Sequence, residues 1–155
     1  MELLIILGSK SDMGIAEKAM KVLDELGVDY GINIASAHRT PERVKELVAG
    51  SDAKVFIAIA GLSAALPGVI ASHTLKPVIG VPVSGKLNMD SILSVLQMPS
   101  GIPVGAVGLD NGKNAALLAA EILALGNKEL EGKLSGYRKK MEDKISKDAE
   151  DLKSK

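Results

Sequence analysis

Leu3 to Leu7 is apolar at every position and stops at Gly8. A run with no polar alternation suits a strand buried on both faces, as in a parallel sheet. After the polar loop Gly8 to Asp12, Ile15, Ala19, Val22, Leu23 and Leu26 fall on one helical face, and Gly27 supplies a stop. Ser11 or Asp12 can cap that helix. Tyr30 to Ile34 reads as a second strand, diluted by Gly31 and Asn33. Thr40 then suits an N-cap, Pro41 the first helical position and Glu42 the first turn, with Val44, Leu47 and Val48 as the buried stripe. Val55 to Ala60 is the clearest strand. It runs into the small-residue loop Gly61 to Gly68 and a short helix ending near Ser72. Pro77 to Val81 reads as a fourth strand, Met89 to Leu96 as a helix, Val104 to Val107 as a short fifth strand and Asn114 to Leu125 as an Ala/Leu-rich helix.

Strands alternating with helices predict an α/β domain, a parallel sheet with helices on both faces. In such sheets ligands bind beyond the carboxyl ends of the strands. The loops after Leu7, Ile34, Ala60 and Val81 leave those ends, and they are rich in Gly, Ser, His or Pro. The segment from Lys128 to Lys155 differs in being dense in charge. Leu130, Leu134, Tyr137, Met141, Ile145 and Leu152 draw a narrow apolar stripe along it. It reads as a long helix docked either on its own domain or on a neighbouring subunit. The expected division is a domain over 1–126 and a helical extension over 127–155.

Composition narrows the function classes. The 155 residues are 46% hydrophobic, enough for a core without disulfide or metal staples. Lys+Arg and Asp+Glu balance at 19 each, so the basic field that nucleic acid requires is missing. Aromatics at 2% leave no base-stacking platform. Cys is absent, which excludes thiolate zinc sites and cysteine nucleophiles and fits a reducing compartment. The apolar start is too short for a signal peptide and carries Glu2 where a basic region belongs. No run reaches the roughly 18 apolar residues of a membrane span. The expectation is a cytoplasmic protein with no nucleic-acid or membrane partner.

The candidate chemistry lies in the loops. Gly8-Ser9-Lys10-Ser11-Asp12 opens a helix, where free N–H groups suit a phosphate, although neither a Walker pattern nor G-x-G-x-x-G is present. Asp12 is either a helix cap or a carboxylate for ribose hydroxyls, and the roles can coexist. His38 sits in Ser36-Ala37-His38-Arg39-Thr40-Pro41. A lone loop histidine is more often structural, but Arg39 beside it suits a phosphate and favours neutral imidazole, which can take or give a proton. His73, near Lys76 at the end of a short helix, reads as structural or exposed. Two histidines far apart and no cysteine give a transition-metal site no support. Gly61 to Gly68 serves either close helix–sheet packing or a tight pocket lined by backbone, with Ser63 its only side-chain hydroxyl.

Taken together and in order, these motifs closely resemble the PurE family of purine biosynthesis. They are Gly8-Ser9-x-Ser11-Asp12, Ser36 to Pro41, Ala60-Gly61 with Leu66-Pro67-Gly68, Pro77 to Val83, Asp90-Ser91, Gln97-Met98-Pro99, Gly101 to Val104 and Asn114-Ala115-Ala116. The match spans about residues 2 to 140. The resemblance implies a flavodoxin-like three-layer αβα sandwich with a parallel five-stranded sheet, usually a homo-octamer. It implies a step that places a carboxyl group on ring carbon 4 of an aminoimidazole ribonucleotide, without metal, ATP, biotin or other cofactor. Most bacterial members are N5-carboxyaminoimidazole ribonucleotide mutases, which move the carboxylate from the exocyclic nitrogen to carbon. A second class, the vertebrate enzymes included, adds carbon dioxide directly to aminoimidazole ribonucleotide.

Carried onto this chain, the resemblance makes His38 the proton-transfer residue. Ser9, Asp12 and Arg39 match its phosphate and ribose contacts, with Ser36 beside them, and Gly61, Ser63, Ala65 and Leu66 form the small wall around the ring. The third loop departs from the mutase pattern Gly-Gly-Ala-Ala-His-Leu-Pro-Gly, whose histidine position is Ala65 here. Ser63 and the missing histidine are similar to the direct carboxylases, whereas Arg39 stands where those enzymes typically have lysine. The expected activity is the mutase, with direct carboxylation as the alternative. A non-catalytic nucleotide sensor on the same fold is a rival of another class. A flavodoxin-like electron carrier is disfavoured by one Phe, two Tyr and no Trp.

Overall fold

The structure is a computed structural model that describes residues 1–153, so positions 154 and 155 of the expected extension lie outside the described residues. Five parallel strands, β1 (Leu3–Leu7), β2 (Tyr30–Ile34), β3 (Val55–Ala60), β4 (Val78–Pro82) and β5 (Gly105–Ala106), form one sheet in the order β2-β1-β3-β4-β5. This is the flavodoxin-like order. Leu7 registers with Ile34 on one side and Ile59 on the other, so β1 and β2 end level and β3 runs one residue further.

Helices on both faces explain the unbroken apolar runs. Leu3, Ile5, Leu7, Val55, Ile57 and Ile59 face one layer, made by α1 (Met13–Leu26), α5 (Gly112–Ala124) and the start of α6 (Lys128–Lys153). Leu4, Ile6, Phe56 and Ala58 face the other, made by α2 (Pro41–Ala49), α3 (Leu66–Ser72) and α4 (Asn88–Leu96). Each large side chain so buried contributes about 1.5–3 kcal/mol. Two glycines let the layers close. A β-carbon on Gly112 would lie 2.2 Å from the Ile15 carbonyl oxygen, where α5 meets α1. One on Gly80 would lie 2.5 Å from Val95 Cγ1 and 3.1 Å from Pro67, where α3 and α4 pack on β4.

Element ends differ from the expected ones for local reasons. Pro77 has no N–H for the ladder, so β4 starts at Val78, and Pro77 contributes only its carbonyl, which accepts from Phe56 N–H at 2.9 Å. The edge strand β5 shrinks to two residues. The helix expected from Asn114 begins at Gly112, because the Asn111 side chain caps it by accepting from Asn114 N–H at 3.0 Å. Neither Ser11 nor Asp12 supplies a capping bond to α1. A single 3-10 turn, Lys10–Asp12, precedes that helix, and the Ser9 hydroxyl accepts from Ser11 N–H there. Thr40 precedes α2 as expected, yet its hydroxyl turns back to accept from Ser36 N–H at 2.9 Å.

The charged segment forms one helix from Lys128 to Lys153, and its front half docks on its own domain. Leu130 and Leu134 are buried and Tyr137 packs beside them, while Arg138 pairs with Glu121 and Lys140 with Glu25. Met141, Ile145 and Leu152, the rear of the stripe, are exposed. Among the described residues no helix is long and apolar enough to cross a membrane.

Candidate active site

Three strand ends build a cavity of about 450 Å3. β1 lies between β2 and β3, and the chain leaves it toward β2 on one side before crossing to β3 on the other, so a crevice opens at its carboxyl end. Gly8, Ser9, Ser11 and Asp12 form its floor, Ser36 to Arg39 one flank, and Ala60 to Ser63 with Ala65 and Leu66 the other. The loop after β4 does not line it. β4 is one strand beyond the crevice, and that loop instead stands behind the third, with Val83 N–H donating to Ala60 O at 3.0 Å.

The floor is a short polar turn with its hydroxyls turned to one another. Ser11 Oγ lies 3.1 Å from both Ser9 Oγ and Asp12 Oδ1, so its single proton can be donated to either. Asp12 is only 6% exposed, and burial pushes its carboxyl above the ordinary aspartate range. The Ser11 hydroxyl, the Ser9 backbone and the Arg39 charge act against that rise. Freed from capping α1, the carboxylate faces the cavity as an acceptor for hydroxyl groups.

The flank carrying His38 is braced from within. Ser36 Oγ accepts from Arg39 N–H at 3.2 Å and from Arg39 Nε at 3.3 Å, and Thr40 N–H donates to Ser36 O at 2.9 Å. Arg39 Nη2 reaches Gly8 O at 3.1 Å, which fastens this flank to the floor. The His38 imidazole has no hydrogen bond or ion pair among the described residues, which leaves both ring nitrogens to a ligand. The opposite flank is made of the small residues Ala60, Gly61, Ser63 and Ala65 with Leu62 and Leu66. Ser63 has φ +52 and its N–H donates to Asp90 Oδ2 at 2.8 Å.

All nine residues singled out from sequence, His38, Ser9, Asp12, Ser36, Arg39, Gly61, Ser63, Ala65 and Leu66, therefore line one cavity. His73 does not: it is exposed and borders a larger cavity of about 800 Å3 at the amino ends of β4 and β5. Sequence reasoning missed Ser11 as a site residue, because a serine at a helix start reads first as a cap. Asp90 lies outside the cavity, and its bond to the Ser63 N–H is not legible from spacing, because a first-turn carboxylate reads first as a partner of its own helix.

Comparison with known proteins gives this arrangement relatives. A family model described as AIR carboxylase matches residues 2–144. The N5-carboxyaminoimidazole ribonucleotide mutase of Methanocaldococcus jannaschii is 59% identical over 142 residues, covering 91% of this chain and 90% of that protein. The mutase of Pyrococcus horikoshii is 51% identical, covering 96% of this chain and 86% of that protein. The crystal structure of Treponema denticola PurE superposes with a TM-score of 0.88 at 38% identity, covering 97% of this chain and 98% of that one.

Proposed function

The chain belongs to the PurE (AIR carboxylase) family, and from that premise we propose that it is an N5-carboxyaminoimidazole ribonucleotide mutase of purine synthesis. The observation that carries the reading is the convergence of one imidazole, one buried carboxylate, one guanidinium and four serine residues on a single cavity with a wall of mostly small residues.

The roles follow from position. Arg39, exposed at the rim, and Ser9 and Ser36 take the phosphate as cation and hydroxyl donors. Asp12, deeper, accepts from the ribose hydroxyls. Gly61, Ser63, Ala65 and Leu66 leave room for a flat ring beside His38. In the reaction the bond from the exocyclic nitrogen to the carboxyl carbon breaks, releasing carbon dioxide, and the nitrogen gains a proton. Ring carbon 4 forms a bond to that carbon dioxide and then loses its own proton. One proton is given and one taken, so a single imidazole closes the cycle. Held in the cavity, the carbon dioxide is recaptured by proximity instead of diffusing away.

Direct carboxylation of aminoimidazole ribonucleotide is the second reading. Ala65 favours it by standing where the mutase pattern has a histidine, together with Ser63. The discriminating experiment offers the purified protein either the N-carboxylated nucleotide or aminoimidazole ribonucleotide with bicarbonate. A kcat/KM at least tenfold higher for the former supports the mutase, and the reverse preference supports the carboxylase. Binding without turnover of either supports a nucleotide sensor.

The same proposal gives the protein a cytoplasmic location and a homo-octameric assembly, in which 1–126 is the catalytic domain and 127–155 an extension reaching a neighbour. The exposed Met141, Ile145 and Leu152 support that extension. A chain ended after Lys140 keeps Leu130, Leu134 and Lys140, and it is expected to fold but to assemble with fewer subunits per particle, as light-scattering mass divided by the shortened chain's own mass. An unchanged subunit number would remove the extension from the interface.

A further inference from the structure

Ser63 holds a left-handed backbone, φ +52, in the wall opposite His38. That region disfavours a residue with a β-carbon, so neighbouring bonds must hold it there. Two do. The Ser63 carbonyl accepts from Ala65 N–H, and the Ser63 N–H donates to Asp90 Oδ2 at 2.8 Å. Ser63 is exposed, so its N–H could equally have met water, which would leave the turn free to relax.

Asp90 stands in the first turn of α4, where an acid ordinarily favours its own helix start. Its carboxylate reaches across to another loop instead. The start of α4 is itself fastened. Asn88 Oδ1 accepts from Gly85 N–H at 2.9 Å, and the buried Ser91 hydroxyl donates to Asn88 O at 3.0 Å. Asp110, also left-handed at φ +55, accepts from Ser84 N–H at 2.8 Å. The loop after β4 is thus tied at both ends, and Asp90 extends that anchoring to the third loop. Asp90 does not line the cavity.

We propose that Asp90 is a positioning residue for the reaction assigned above: its carboxylate holds the Ser63 turn so that Gly61, Ser63 and Ala65 face His38 at a fixed distance. The inference rests on that functional reading. Carboxyl transfer needs the ring carbon, the carbon dioxide and the imidazole in register, and small misplacement is costly in rate. Ser9, Asp12 and Arg39 hold the nucleotide from the other side and do not depend on this bond. Loss of Asp90 therefore acts on kcat more than on KM.

The test compares wild type, Asp90→Ala and Asp90→Asn by steady-state kinetics and by amide hydrogen exchange at Ser63. D90A is expected to lower kcat roughly ten- to a hundredfold, with KM within about threefold and faster Ser63 exchange. D90N, whose amide oxygen still accepts, is expected to stay within about fivefold of wild-type kcat. Asp90→Ser, too short to reach Ser63, replaces D90A if that variant does not fold. A role confined to the helix start needs the charge and not the acceptor. It predicts D90A and D90N alike, with lowered melting temperature and unchanged kcat, and that result overturns the proposal. Wild type inert with both donors would overturn the assigned reaction instead. The exchange rates then still read the Ser63–Asp90 coupling: faster exchange in D90A supports it, and unchanged exchange overturns it.

Discussion

Arg39 Nη2 donates to the main-chain carbonyl of Gly8 at 3.1 Å, while its Nε donates to Ser36 Oγ at 3.3 Å. One planar guanidinium thus bridges the ends of β1 and β2 and sets the flank on which His38 sits. A lysine keeps the charge but cannot span both acceptors. Arg39→Lys is expected to raise KM about tenfold with a smaller change in kcat, as measured by initial rates. An unchanged KM would show that the bridge does not shape the nucleotide site.

His38→Asn keeps a polar side chain of similar reach but removes the proton carrier. Turnover is expected to fall on the order of a hundred- to ten-thousandfold, with nucleotide affinity within about tenfold by calorimetry. Near-wild-type turnover would place proton transfer on another group.

Asp12 carries a stability cost with a definite pH sign. Burial raises its folded pKa above the unfolded value, so the folded state binds its proton more tightly. Ionising it opposes folding at neutral pH, and the cost fades as pH falls through the folded pKa toward the unfolded value of about 3.9. Asp12→Asn lacks that cost. It is expected to be more stable than wild type near pH 7, by a margin that narrows toward about pH 4, with nucleotide affinity about tenfold weaker. Denaturant melts at the two pH values check the first claim; a margin independent of pH would refute it.

Gly112→Ala tests the α1–α5 contact. The new methyl would meet a backbone carbonyl, not the end of a flexible side chain, so a helix must shift. A loss of about 1–3 kcal/mol is expected in urea unfolding. Because Ile15 lies one turn from Asp12, nucleotide binding should weaken as well. Gly126→Ala, where nothing lies within 4 Å, is the control and should leave stability within about 0.5 kcal/mol.

The chain carries its strand order of events plainly. Unbroken apolar runs at Leu3–Leu7 and Val55–Ala60 announce a sheet covered on both faces, because only strands buried twice can omit polar alternation. Strand-end loops rich in Gly, Ser and His mark the ligand side for the same topological reason. What sequence could not decide was which hydrogen bond each small polar residue would make. Asp12 reads equally as a cap or as a ligand carboxylate, and it makes no capping bond but lines the cavity, buried. Thr40 reads as a cap and bonds back to Ser36. Asp90 reads as a helix-start acid and holds Ser63 in a loop 27 residues away. A side chain of that size has several partners within reach, and local spacing ranks them almost equally. Only the packing of one loop against another, set by the order β2-β1-β3-β4-β5, selects among them.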